Sequence, residues 1–149
     1  MNYLLDTNIL LRLIELAHPQ HNEAKEALRI LRQQNCVFYI LLQNISEFWN
    51  VCTRPLDKNG LGLAIAQVDL HLKRFERLFT ILPETEEVYK NWRELVVNHS
   101  VSGVKVHDAK IVASMKAHGI QNLLTFNAKD FKRYIDIKAV QPKDVLPIT

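Results

Sequence analysis

Short apolar strands alternate with amphipathic helices along the whole chain, and that alternation leaves few folds open. Residues 3–5 form an apolar strand stopped by Asp6. Residues 9–16 have helical spacing, with Thr7 or Asn8 as the cap. A second helix is expected over 22–34, with Ala24, Ala27, Leu28 and Leu31 on one face. The run 37–42 is continuously apolar and rich in β-branched and aromatic residues, as a strand buried on both faces requires. Helices follow over 43–53, 63–78, 84–98 and 106–118, the last closed by Gly119. Between them lie strands at 79–82 and 123–125, with a fifth at 139–140. Strands separated by helices pair in parallel and are covered on both faces. The expected class is α/β, a three-layer α/β/α sandwich on a four- or five-stranded parallel sheet, with residues 1–149 as one domain.

Composition narrows function by exclusion. The four glycines form neither GxGxxG nor GxxxxGK, so dinucleotide and P-loop chemistry are not expected. The longest apolar run, 36–42, is far too short to span a membrane. The first apolar stretch holds Asp6 and has no basic residue before it, unlike a secretory signal. Cys36 and Cys52 lack metal spacing and read as buried free thiols of a cytoplasmic protein. The net charge of +3 is compatible with a nucleic-acid partner without demanding one.

In parallel α/β sheets, ligands bind beyond the carboxyl ends of the strands, where strand order reverses. That rule directs attention to Asp6, to residues 43–47 and to residues 126–130. Asp6 can cap the helix it precedes or hold a metal ion. Glu47 lies opposite the apolar stripe of Ile45, Phe48, Trp49 and Cys52, on a face that is either solvated or functional. Asp108 heads the inward stripe of Ile111, Val112 and Met115, so it must be capped, paired or bound. Asn127 and Asp130 suit turn chemistry equally well. Converging carboxylates repel unless a cation neutralises them. Without a His or Cys cluster, such oxygens select hard ions, Mg²⁺ or Mn²⁺. A common use of that arrangement is phosphodiester hydrolysis.

Four segments carry a family resemblance: Leu4-Leu5-Asp6-Thr7-Asn8-Ile9-Leu10, Gln43-Asn44-Ile45-Ser46-Glu47-Phe48, His107-Asp108-Ala109-Lys110-Ile111-Val112-Ala113, and Leu124-Thr125-Phe126-Asn127-Ala128-Lys129-Asp130-Phe131. In this order and spacing the chain resembles the PIN-domain (PilT N-terminal-like) ribonucleases, most of all the VapC-type toxins. The resemblance implies a Mg²⁺- or Mn²⁺-dependent endoribonuclease acting on single-stranded RNA. It implies Asp6 and Asp108 as principal metal ligands, Glu47 as the third acid, and Asn127 at the fourth catalytic position. Asn at 127, where many members carry Asp, leaves room for a second, weaker ion site or none. Thr7, Asn8 and Thr125 match supporting polar positions, and Asp130 reads as turn chemistry.

Basic residues near the acids are candidate RNA contacts, namely Arg12, Arg54, Lys105, Lys110, Lys129, Lys132 and Arg133, with Lys129, Lys132 and Arg133 ranked first. Phe126 is placed to stack on a base, whereas Trp49 and Trp92 are expected to pack. The resemblance also implies an antitoxin, its amphipathic peptide lying between the helices that begin near residues 9 and 43 with an Arg in the acidic pocket. It implies a homodimer, for which the apolar stripe Ala64, Ile65, Val68, Leu72 and Phe75 of residues 63–78 offers surface that core packing explains equally well. The competing expectations are a PIN fold that binds nucleic acid or protein without turnover, and a phosphatase- or receiver-type α/β domain. Asn8 in place of a second Asp speaks against the latter.

Overall fold

A computed structural model describes residues 1–148. Five strands, β1 (Asn2–Leu5), β2 (Val37–Leu41), β3 (Thr80–Leu82), β4 (Asn122–Leu124) and β5 (Lys138–Val140), form one sheet in the order β3-β2-β1-β4-β5. Every pairing is parallel, with Tyr3 opposite Phe38 on one side and opposite Asn122 on the other. The helices are α1 (Thr7–Ile14), α2 (His21–Gln33), α3 (Leu42–Thr53), α4 (Ile65–Leu78), α5 (Glu86–Asn98), α6 (Val106–His118) and the short α7 (Pro142–Val145).

Alternation along each strand splits the interior into two cores. Leu5, Phe38, Ile40 and Leu124 point to one face, where Ile9, Leu10, Phe48 and Phe75 from α1, α3 and α4 meet them. Leu4, Leu41 and Leu123 point to the other, against Val88 and Leu95 of α5 and Ile111, Val112 and Met115 of α6. The three-layer expectation therefore holds, and both cysteines are buried thiols. Among the described residues no helix is long and apolar enough to cross a membrane.

The differences from expectation lie at element ends. Asp6, rather than Thr7 or Asn8, caps α1, since its carboxylate accepts the Thr7 N–H at 2.8 Å. The helix stops at Ile14, leaving Leu16 exposed. Helix α4 starts at Ile65 because the Leu63 N–H donates to the Cys52 carbonyl instead of entering a helix. In α4, Val68 and Phe75 are buried but Ile65 is 60 % exposed, so the stripe expected there is only half core. Helix α5 starts at Glu86, two residues later than expected, after the extended Thr85.

Strand β1 is central: the chain steps outward to β2 and β3, then returns to β4 on the other side. Strand order thus reverses between β1 and β4, and their carboxyl ends open the crevice where such sheets bind ligands. Asp6 and Thr125 are the first residues beyond those two strands.

Candidate active site

Asp6 is 8 % exposed and has no Lys, Arg or His in ion-pair contact among the described residues. One carboxylate oxygen takes the Thr7 N–H. The other accepts from the Thr125 hydroxyl at 2.7 Å and from Asn8 Nδ2 at 3.5 Å. The direction of the Thr125 hydroxyl is fixed by its surroundings. It receives N–H groups from Asn8 Nδ2 (3.2 Å) and the Asn127 backbone (3.0 Å), which fill its two lone pairs. Its own proton is left for Asp6. Asn8 is held in turn, its Oδ1 accepting the Phe126 N–H at 3.1 Å. Burial pushes the Asp6 carboxyl up to about 6; the Thr125 and Thr7 bonds oppose this, and the charges of Glu47 and Asp108 add to it.

Glu47 is turned into the site rather than toward solvent. Thr7 Oγ1 donates to its Oε2 at 2.8 Å, and Gln43 Nε2 donates to its Oε1 at 3.3 Å. Asn44, fully buried, supports Thr7 by donating to its hydroxyl at 3.4 Å. Its Oδ1 reaches back to the Leu41 N–H at 2.9 Å, as the third residue of a capped helix does.

Asp108 sits in the first turn of α6 with its side chain 28 % exposed. Burial raises its pKa; Lys105 lowers it, while Asp130 and Glu47 raise it further. Lys105 Nζ lies 3.8 Å from Asp108 Oδ2 and 3.4 Å from Asp130 Oδ1, so Asp130 joins an ion pair at the rim besides occupying the 3-10 turn 128–131. Thr7 links Asp6 to Glu47, its N–H donating to the one and its hydroxyl to the other, and Gln43 links Glu47 to the His107 carbonyl beside Asp108. The three acids do not close on a common point: among the described residues no three His, Cys, Asp or Glu side chains form a finished metal cage. The donors fit a hard divalent ion in kind, being carboxylates with neighbouring hydroxyls and amides.

The remaining candidates separate. The Asn127 side chain is exposed, and its backbone N–H rather than its amide joins the network. Lys129, Lys132 and Arg133, which follow Phe126 in the chain, are exposed and in no ion pair among the described residues. Arg12 is instead held by Glu15 at 2.8 Å and Gln20 at 3.0 Å, which removes it from the free basic set. Phe126 is half-buried against the first core, as strand β4 leads its ring inward, so it is not an open stacking platform. Trp49 and Trp92 pack as expected. Helices α1 and α3 pack against each other. An open groove lies between α1, α2 and α4. Gln43 and Asn44 are site residues that helical periodicity could not single out. Asn44 had a signal of its own, an amide three residues past the end of a strand.

A parallel α/β sheet with acids at its switch point is the frame on which the family comparison falls. The sequence description of the PIN domain matches residues 3–136, and the chain belongs to the PIN domain family. Its fold is that of the VapC-type members. VapBC2 from Rickettsia felis, solved with a DNA fragment from its promoter, superposes with a TM-score of 0.68 at 20% identity, covering 95% of this chain and 98% of that one. Mycobacterium tuberculosis VapC20, a sarcin-ricin-loop-cleaving toxin, gives 0.66 at 19% identity over 89% and 95%. A toxin–antitoxin complex from Klebsiella pneumoniae gives 0.64 at 23% identity over 94% and 97%. No curated protein matches the chain in sequence.

Proposed function

We propose that this protein is a divalent-metal-dependent endoribonuclease cleaving single-stranded RNA, and the toxin of a type II toxin–antitoxin pair. The observation that carries the reading is Asp6: buried at the switch point without a cationic partner, and joined through Thr7 to Glu47. Lys105 pairs with Asp108 and Asp130 only, so Asp6 and Glu47 lie together with no counter-charge among the described residues, an unfavourable arrangement that a bound cation relieves. Asp6, Asp108 and Glu47 would hold Mg²⁺ or Mn²⁺, which when bound supplies an activated water and charge neutralisation at the phosphate.

The chain's own residues orient the acids. Thr125 and Asn8 hold Asp6, Thr7 and Gln43 hold Glu47, and Lys105 balances Asp108 and Asp130. Lys129, Lys132 and Arg133 would take up RNA phosphates next to the cleft. Asn127, exposed at the rim, fits contact with substrate better than ion ligation.

The antitoxin is assigned to the groove between α1, α2 and α4, of about 480 Å³. Leu13, Ile14, Leu28, Phe75 and Phe79 give it an apolar floor, and Lys25, Arg32 and Arg74 a basic rim. An amphipathic helix with acidic flanks is the complement. A homodimer and a cytoplasmic site of action belong to the same reading.

The absence of a closed cage favours a second reading, a PIN fold that binds without turnover. One experiment separates the two. Purified protein with Mn²⁺ is incubated with a fluorescent single-stranded RNA, beside Asp6→Asn and a chelator control. The nuclease reading expects cleavage by the wild type alone, abolished by chelation. An uncut RNA that is nonetheless bound selects the second reading.

A further inference from the structure

The first turn of α6 is gripped from both sides. Gln43 Nε2 of α3 donates to the His107 carbonyl at 3.0 Å, and Trp92 Nε1 of α5 donates to the Val106 carbonyl at 2.9 Å. These carbonyls immediately precede Asp108. The Gln43 amide also donates to Glu47 Oε1 at 3.3 Å, so one NH₂ group ties the third acid to the turn that carries the second. Turning the amide over would set its oxygen against two acceptors, so the orientation is dictated by its partners. That orientation leaves Gln43 Oε1 buried with no donor. A buried acceptor without a partner is unfavourable, and an apolar side chain of the same length would avoid it.

We infer that Gln43 is a positioning residue of the metal site, a cross-strut that sets the span between the Glu47 and Asp108 carboxylates. This rests on the metal-dependent reading above. Lys105 sits on the rim side of Asp108 and draws its carboxylate toward Asp130. Without the strut, Glu47 keeps only its Thr7 bond, and the α6 turn is held from α5 alone. The two carboxylates then meet a cation in a wider range of geometries. Loss of a partner that orients metal ligands typically weakens metal binding or activity by roughly 10- to 100-fold.

The test is calorimetric titration of Mn²⁺ into wild type, Gln43→Met, Gln43→Glu and Cys52→Ala, with melting curves for each. Cys52 is buried in the first core on the same helix, and its truncation loosens α3 without touching the strut. The expectation is a dissociation constant raised at least tenfold in Gln43→Met, raised or beyond detection in Gln43→Glu, and unchanged in Cys52→Ala despite its lower melting temperature. In cleavage of RNA, the Gln43→Met defect shrinks as Mn²⁺ approaches saturation. Wild-type affinity in Gln43→Met overturns the strut, and so does equal weakening in Cys52→Ala; should Gln43→Met not fold, Gln43→Glu against Cys52→Ala decides it. Absence of binding by the wild type itself overturns the metal-dependent reading, and the strut falls with it.

Discussion

Replacing Asp6 by Asn should make the protein more stable at neutral pH while removing the proposed nuclease activity. Burial holds this carboxyl at about 6 rather than its ordinary 3.8. That gap corresponds to about 3 kcal/mol, at about 1.4 kcal/mol for each tenfold change in proton affinity. The folded state therefore holds a proton at pH values where the unfolded chain has released it. Wild-type stability from this group falls as pH rises from about 4 to about 6 and stays low above that. Asn keeps the acceptor for the Thr7 N–H but turns an NH₂ group toward the Thr125 hydroxyl and Asn8 Nδ2, losing both of those bonds, roughly 1–2 kcal/mol. The net gain at pH 7.5 is about 1–2 kcal/mol, or roughly 3–6 °C in melting temperature for a chain of this size. Near pH 3.5 both proteins carry a neutral group and the gain disappears. Melting curves of the two proteins at pH 3.5, 5 and 7.5, without divalent ions, read this directly. A variant no more stable than wild type at pH 7.5, or equally advantaged at all three pH values, would refute the reasoning.

Thr125→Val removes a hydroxyl that donates to Asp6 and fills nearly the same volume. That bond lowers the Asp6 pKa, so its loss raises it, and the acid limb of the pH–rate profile should move to higher pH. Changing Lys129, Lys132 and Arg133 together to Ala should weaken single-stranded RNA binding at low salt and flatten the plot of log affinity against log salt by about 0.7 for each phosphate no longer neutralised. The slope is measured with catalytically dead Asp6→Asn protein. Gly60→Ala should destabilise by about 2 kcal/mol or more, because the added Cβ would lie 1.9 Å from the Arg54 carbonyl oxygen, a backbone atom without room to yield. Denaturant unfolding checks it, and a change within about 0.5 kcal/mol would show that the 54–62 turn is not needed as built.

The layers of the fold are legible in the sequence because alternation in strands and helical spacing act locally. Helix α6 runs over the expected residues, since Gly119 takes the left-handed conformation (φ 68°) that ends it. Boundaries shift where one group from afar wins: Cys52 captures the Leu63 N–H, and Asp6 does double duty as cap and site acid. Glu47 shows the limit of periodicity. Spacing names the face opposite Phe48, but only the tertiary structure puts Thr7 and Gln43 against that face. Sequence position alone makes Arg12 and Phe126 look free, and each is occupied by neighbours that sequence does not reveal: Glu15 and Gln20 for Arg12, the first core for Phe126. The groove follows the same logic. Helices α1 and α3, between which a peptide groove is expected, pack together, and a groove invisible to local spacing opens between α1, α2 and α4.

The central claim is that Asp6, Glu47 and Asp108 hold one divalent ion. The most direct measurement is an anomalous difference map from crystals grown with Mn²⁺. A peak is expected within coordination distance of Asp6 and Asp108, with Glu47 bound directly or through a water. A map with no peak between these carboxylates, or with the ion bound elsewhere, would contradict it.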